Sequence, residues 1–139
     1  MSGLAGLLAG HEPGGVWRWE SVTDAEQVRR SVELAGWRFA HLDGWRTGPS
    51  RSEVLRALGE ALDFPAYYGV NLDALADCLD DVAGPALVLW DGWGVLARAD
   101  ERSFAAVCRV LSDHAAETDA PFAVLLRGDG PATDLPELD

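Results

Sequence analysis

The chain of 139 residues contains no lysine, and its 11 basic side chains, all arginine, are outnumbered by 23 acidic ones. The resulting net charge of −12 argues against nucleic acid or an anionic lipid surface as the main partner, because both are polyanions that attract basic proteins. We therefore expect a basic partner, and neither nucleic acid nor a membrane.

Cysteines and long apolar runs are also scarce. The two cysteines, Cys78 and Cys108, are too few for a disulfide framework, so we expect reduced, buried thiols in a cytoplasmic protein. The apolar run within residues 1–10 follows no positive region, unlike a signal peptide, and no stretch approaches the ~20 apolar residues that span a bilayer. A chain of this length is expected to form one soluble domain.

Strand-like and helix-like patterns alternate along the middle of the chain. The predicted strands cover residues 16–20, 37–42, 86–90 and 121–126, and the predicted helices cover residues 24–34, 50–62, 71 onward and 100–116. Strands separated by helices imply right-handed βαβ crossovers. The sequence therefore predicts an α/β fold with a small parallel sheet and helices packed on it.

Only the two ends lack such a pattern. Residues 1–15, which close on Pro13-Gly14-Gly15, are predicted to be a disordered lead-in, and residues 129–139 an acidic tail. A single domain would then occupy residues 16–128.

The negative charge is concentrated in one part of the chain. Residues 57–97 contain no basic side chain and seven acidic ones. On a helix that begins at Asn71, Asp73, Asp77 and Asp80 fall within roughly 60° of one another, with Asp81 beside them. The opposite side is apolar and carries Leu72, Leu75, Leu79 and Val82.

The charges of these four carboxylates lower the stability of the helix that carries them. Asp73/Asp77 and Asp77/Asp81 are like-charge pairs four residues apart, each unfavourable by roughly 0.2–0.5 kcal/mol. Asp80 and Asp81 also lie near the helix C-terminus, where the macrodipole disfavours anions. An ordinary solvated face usually mixes its charges, so we infer that another role requires these carboxylates.

Three roles are open at this point. A metal site is disfavoured because no histidine lies near this helix in sequence and hard cations usually add loop oxygens; we expect no metal and no cofactor. Acid–base catalysis needs two carboxyls in different environments, whereas these four share one exposed face. The favoured role is to bind a concentrated positive patch on another protein.

The segment before the helix strengthens this interpretation. Tyr67, Tyr68 and Gly69 precede Asn71, and tyrosine is common at binding hot spots. Two adjacent tyrosines do not both point inward readily, so we expect at least one of the two rings to be exposed.

A family resemblance rests on the string Phe64-Pro65-Ala66-Tyr67-Tyr68-Gly69-Val70-Asn71-Leu72-Asp73-Ala74-Leu75-Ala76-Asp77-Cys78-Leu79. Together with the apolar strand that follows Pro85, it closely resembles the barstar family, the intracellular inhibitors of the secreted bacterial ribonuclease barnase. The weaker resemblance extends from about residue 37 to residue 126. Residues 16–35 lie outside it, and we expect them to add an edge strand and a covering helix to the sheet.

The resemblance implies that the acidic helix and its preceding loop plug the active site of a guanyl-preferring ribonuclease in a 1:1 complex. Asp77 would occupy the phosphate pocket as a phosphate mimic, and Asp73 would pair with a neighbouring basic residue. Tyr67 would pack against the catalytic region, Gly69 would permit close approach, and Asn71 would cap the helix. The set of partner-binding residues that we predict is Tyr67, Tyr68, Gly69, Asn71, Asp73, Ala76, Asp77, Asp80, Asp81 and Asp113.

Some positions depart from the family pattern. Ala76 replaces a tryptophan between the two contact acids, Val70 replaces an acidic residue, and Asp80-Asp81 replace Thr-Gly. These departures predict a preferred target other than barnase itself.

The alternative to a ribonuclease inhibitor is an interaction module of the same fold that binds another basic protein, such as a different toxin or a regulator. We do not expect an enzyme, because no triad-like arrangement accompanies His11, His41 or His114.

Overall fold

The computed structural model describes residues 3–139, which form a parallel sheet with helices on both faces. The strands are β1 Gly15–Trp19, β2 Arg38–Asp43, β3 Ala86–Asp91, β4 Phe122–Arg127 and β5 Glu137–Leu138. The helices are α1 Gly3–Leu8, α2 Ala25–Leu34, α3 Gly44–Thr47, α4 Arg51–Ala61, α5 Leu72–Asp80, α6 Gly94–Ala99 and α7 Glu101–Glu117. The predicted α/β fold with a parallel sheet is confirmed.

The five strands lie in the order β2-β3-β4-β1-β5, and all of the pairs are parallel. Both faces of β3 and β4 are covered, which is why their sequences are apolar almost throughout. Alternate side chains along β3 enter two different cores. Val88 and Trp90 pack with α4 to α7 on one face, whereas Leu87 and Leu89 pack with α1 and α2 on the other.

The strand near the N-terminus is not an edge strand, which corrects our expectation for residues 16–35. β1 lies between β4 and β5, because Arg18 and Trp19 pair with Glu137 and Leu138. The covering helix predicted for this segment is present as α2, which packs Val28 and Val32 against the sheet.

Both ends of the chain contain regular structure, so the expectation of unstructured ends is wrong for the described residues. In the predicted lead-in, α1 buries Leu7 to 1% exposure because this side chain packs in the core that α2 covers. In the predicted tail, Leu138 is 5% exposed, and the Pro136 carbonyl accepts a hydrogen bond from the Arg18 amide. Residues 1 and 2 of the lead-in lie outside the described residues.

Polar side chains cap the helices that position the acidic segment. The Ser50 hydroxyl accepts a hydrogen bond from the Glu53 amide at the start of α4, and Asp100 accepts one from the Ser103 amide at the start of α7.

Two short helices, α3 and α6, follow β2 and β3 in places where the sequence predicts none. The three helices α4, α5 and α7 pack on one another over the same face of the sheet.

Candidate partner-binding surface

Helix α5 is held at its start by Asn71, as the sequence predicts. The Asn71 Oδ1 atom accepts a hydrogen bond from the Ala74 amide at 2.8 Å, which satisfies one of the unpaired donors of the first turn. Leu75 and Leu79 are completely buried and dock the helix on the core. The helix therefore presents its opposite side outward.

The outward side of α5 carries the exposed side chains of Asp73, Asp77 and Asp80, which we call the carboxylate face, with Asp81 at the helix C-cap. Ala76 is exposed beside Asp80 and leaves this edge of the face without a large side chain. Among residues 3–139, Asp73 and Asp77 form no ion pair and accept no side-chain hydrogen bond. Their acceptor capacity is available to another molecule.

The charge of these carboxylates also affects the interior. Burial, followed by the negative charges of Asp81 and Asp77, raises the pKa of the Cys78 thiol. The Cys78 thiol, beneath the carboxylate face, therefore loses its proton less readily than a free cysteine. Burial likewise raises the pKa of Cys108 to about 12, and both thiols are free and buried as the sequence predicts.

The two adjacent tyrosines of the preceding loop point in opposite directions, which confirms the expectation that one would be exposed. Tyr67 is 81% exposed. Tyr68 turns inward, and its hydroxyl donates a hydrogen bond of 3.0 Å to the Leu55 carbonyl of α4. Burial, reinforced by the nearby Cys78, raises the pKa of Tyr68 to about 12. Tyr68 thus anchors the loop, and its role in partner binding stays a prediction.

Gly59 of α4 makes the inward position of Tyr68 possible. A Cβ atom at residue 59 would lie 2.7 Å from the Tyr68 ring, which is too close for any side chain. The ring also meets Phe64 edge-on, with 5.0 Å between the ring centroids. The loop is therefore packed on α4.

The turn into α5 has an unusual backbone conformation at Val70 rather than at Gly69. Val70 has a φ of +49°, a left-handed conformation that is costly for a β-branched residue. The Val70 side chain packs on the core, and the side-chain Nδ2 of Asn71 donates a hydrogen bond of 3.2 Å to the Gly69 carbonyl. These contacts stabilise this conformation of the loop.

The end of the carboxylate face is joined to α7. Nδ1 of the buried His114 lies 3.4 Å from Oδ1 of Asp80, which remains largely exposed. The His114 ring also packs edge-on against Phe122 at the start of β4. Asp113, next to His114, is exposed on α7 at the same end of the α5–α7 pair. Sequence reasoning includes Asp80 and Asp113 in the surface but misses the contact with His114.

A second charged cluster lies at the carboxyl ends of β2, β3 and β4. The buried Asp91 carboxylate accepts hydrogen bonds of 2.7 and 3.0 Å from Arg127 and lies 2.8 Å from His41 Nε2. Burial alone would raise the pKa of Asp91, but the hydrogen bonds and charges of His41 and Arg127 overcome it and lower the pKa to about 2. Arg127 also donates to the carbonyls of Ser21 and Thr23. This cluster ties the strand ends to the loop after β1 and has no contact with the carboxylate face.

Within residues 3–139, no group of three or more histidine, cysteine or acidic side chains is arranged to hold a metal ion. In the same range, no helix combines the length and the apolar character needed to cross a membrane.

Comparison with protein families matches residues 37–127 to the model described as "Barstar (barnase inhibitor)". The match covers α5, its preceding loop and all the strands from β2 to β4. The chain belongs to the Barstar family. Membership indicates an inhibitor of barnase-type ribonucleases in general terms, and the Barstar family is one of inhibitors rather than of enzymes.

Two further comparisons give less detail. No curated protein sequence matches this Barstar-family chain. Among solved structures, a chain of the "Structure of Drosophila ORC bound to AT-rich DNA and Cdc6" is similar with a TM-score of 0.54 and 11% identity. The similarity covers 88% of this chain and 42% of the Drosophila chain, so the present chain spans less than half of that one. At this identity the similarity shows the fold alone.

Proposed function

We propose that the protein inhibits a basic, guanyl-preferring bacterial ribonuclease by covering the active site of that enzyme with the carboxylate face and Tyr67. The observation that carries the proposal is that Asp73 and Asp77 are exposed, rigidly held on α5 and without ionic partners among residues 3–139. Family membership supplies the class of partner.

The chemistry of the target explains why carboxylates suit this role. A ribonuclease must present fixed cationic donors to the scissile phosphate, and a carboxylate on a rigid helix can satisfy those donors without being cleaved. Asp77 is the proposed phosphate mimic, because it lies at the centre of the face with Asp73 four residues before it and Asp81 four residues after it. Asp73 pairs with a neighbouring cation of the enzyme.

The loop supplies the apolar part of the proposed interface. The exposed Tyr67 ring gives a large contact area with few rotatable bonds. Because Tyr68, Val70 and Asn71 already fix the loop, little conformational entropy is lost when the partner binds. In the proposed complex, which is 1:1, the inhibitor protects the cytoplasm of its producer, and the two free thiols suit that reducing compartment.

The exposed Ala76 supports a target that differs from barnase itself. An alanine beside Asp80, at the edge of the face, leaves space that a protruding side chain of the enzyme can enter.

The test is the residual hydrolysis of RNA by a panel of secreted, guanyl-preferring bacterial ribonucleases, including barnase, after each is mixed with an equimolar amount of the protein. We expect near-complete inhibition of at least one enzyme, with barnase inhibited less than the best target. Full activity of every enzyme in the panel would contradict the proposal. Capture of a basic protein without nuclease activity from the producing cell would instead favour an interaction module of the same fold.

A further inference from the structure

We propose that the exposed ring of Trp45 and the carboxylate of Asp129 form a second binding site, which takes the guanidinium group of an arginine side chain from a basic protein. The site lies at the carboxyl ends of the strands. Trp45 is on α3 beside β2 and β3, whereas α5, with the carboxylate face, packs against α4 and α7. This second site is independent of the proposed inhibition of a ribonuclease.

A crevice at this edge follows from the topology of the sheet. After β1 the chain passes to α2 on one face, whereas after the neighbouring strand β4 it passes over the other face, where Leu135 packs on the core. Neighbouring parallel strands whose connections leave on opposite faces open a crevice outside their carboxyl ends, and ligands of α/β proteins bind in such crevices. The crevice here has two adjoining parts of about 390 and 280 Å³, which share Ser21 and Gly128.

Trp45 forms one wall of the larger part and is 64% exposed. A Cβ atom at residue 92 would lie 2.8 Å from Trp45 Cδ2 and 3.1 Å from Cε2, the two atoms that the fused rings share. Gly92 therefore lies against one face of the indole. A Cβ atom at residue 128 would lie 3.1 Å from Trp45 Cζ2, so Gly128 supports the same ring system. The two glycines seat the ring and leave its opposite face open to a ligand.

The charges around the crevice favour a cation. Asp129 directly follows Gly128, and Glu20 lines the same smaller part of the crevice. Both side chains are exposed, and neither forms an ion pair among residues 3–139. The arginines around the crevice each have a carboxylate of their own, in the pairs Arg18–Glu137, Arg46–Asp43 and Arg127–Asp91. Asp129 and Glu20 are thus available to a cationic ligand.

A guanidinium group fits this combination of an aromatic wall and a carboxylate. It is planar, stacks on a tryptophan face, and donates hydrogen bonds to a carboxylate at the same time. The exposed Val22, which lines the larger part with Trp45, offers apolar surface to the methylene groups of the arginine stem. The arginine belongs to a polypeptide, because the α-carboxylate of the free amino acid would be repelled by a protein of net charge −12.

The experiment titrates the ¹⁵N-labelled full chain with N-acetylarginine amide and follows the indole N–H of Trp45 and the amide of Gly128 by NMR. We expect saturable shifts of both signals, with a dissociation constant of about 1–10 mM for a single side chain. N-acetylcitrulline amide has nearly the same shape without the charge and should bind about tenfold more weakly or less. Free L-arginine should also bind more weakly than the blocked arginine.

Two variants test the residues of the site, with the Gly128 amide as the signal. Asp129→Asn should raise the dissociation constant by about threefold or more, the size of a surface ion pair. Trp45→Leu keeps an apolar side chain but removes the aromatic face, and should raise it by about threefold or more as well. Because Asp129 is exposed, its replacement leaves the fold intact even if Trp45→Leu does not.

Asp119→Asn is the matched control, since Asp119 is an exposed acid just before β4, at the opposite edge of the sheet. It should leave the dissociation constant unchanged. Equal binding of the arginine and citrulline derivatives, or an equal dissociation constant for the natural sequence and Asp129→Asn, would overturn the proposed site. Tighter binding of free L-arginine than of the blocked arginine would overturn the assignment to a polypeptide.

Discussion

The hydroxyl of Tyr68 donates a hydrogen bond of 3.0 Å to the main-chain carbonyl of Leu55, thirteen residues earlier on α4. This bond fixes the loop from its inner side, so that the adjacent Tyr67 is directed outward. Tyr68 therefore stabilises the free protein, whereas Tyr67 is the tyrosine that contacts the partner in the proposed complex.

Substitutions at these two tyrosines should therefore have opposite consequences. Tyr68→Phe removes the hydrogen bond to the Leu55 carbonyl, so we expect the free energy of unfolding to fall by about 0.5–1.5 kcal/mol. Tyr67→Ala should change it by less than about 0.5 kcal/mol, as at most exposed positions, but should weaken the ribonuclease complex by about 2 kcal/mol or more. Urea unfolding and inhibition titrations measure the two effects. A loss of stability confined to Tyr67→Ala would contradict this division.

Asp77 should lower the stability of the free protein and strengthen the complex with the ribonuclease. Asp77→Asn removes two like-charge pairs from α5, so we expect the free energy of unfolding to rise by about 0.4–1 kcal/mol at low salt. The same change should weaken the complex by about 2–5 kcal/mol, because cations of the enzyme are left buried and unpaired.

Asp24→Asn is the matched control for Asp77→Asn, since Asp24 is an exposed acid at the start of α2 on the other face of the sheet. It should alter affinity by less than about 0.5 kcal/mol. Equal losses of affinity in the two variants would show that net charge matters and the position on α5 does not.

A positive charge introduced at residue 76 should hardly change the stability of the free protein but should slow its association with the ribonuclease. In Ala76→Arg the guanidinium would lie near Asp73 and Asp80 on the helix surface, so we expect a change in stability of less than about 0.5 kcal/mol. The association rate with the ribonuclease should fall by about tenfold or more at low salt, because the new charge opposes electrostatic steering. Ala76→Gln is the control, because it adds a large side chain without a charge and so separates the effect of size from the effect of charge. An association rate that is equally low in both variants would contradict the electrostatic explanation.

Asp91 should make stability depend on pH in the acid range. Its pKa is lowered from 3.8 to about 2 in the folded state, so its contribution is complete above about pH 4 and is lost as the pH falls toward 2. A shift of this size corresponds to about 2 kcal/mol. Urea unfolding at several pH values should show a difference in stability between the natural sequence and Asp91→Asn that shrinks by about this amount between pH 5 and pH 2. A difference that is constant over this range would show that the carboxylate charge of Asp91 does not contribute.

Local patterns in the sequence predict most of the fold and the centre of the candidate site. The spacing of Leu75 and Leu79 and the capping residue Asn71 define α5 and its exposed side, because helix periodicity and caps depend on nearby residues. The apolar strands β3 and β4 are predicted for the same reason. The sequence predicts β1 at the sheet edge because Leu138, a single apolar residue in an acidic segment, gives no strand pattern on its own.

The contacts that the sequence does not reveal join residues far apart in the chain. Asp80 and His114 meet only because α5 and α7 pack side by side, and Asp91 meets Arg127 only because β3 and β4 are neighbours. Nothing in the residues around these four positions indicates their partners. Helix α1 has a local signal, since Leu4, Leu7 and Leu8 have helical spacing, but an isolated helix of six residues is not stable in water and the pattern alone does not predict it.

The central claim is that the carboxylate face occupies the phosphate pocket of the ribonuclease, and competition with a nucleotide tests it most directly. The measurement is the apparent association rate of the protein with the best-inhibited ribonuclease at increasing concentrations of guanosine 3′-monophosphate, at constant ionic strength. The account predicts that the rate falls in proportion to the fraction of enzyme that holds the nucleotide. An association rate that is the same for the free and the nucleotide-saturated enzyme would contradict it.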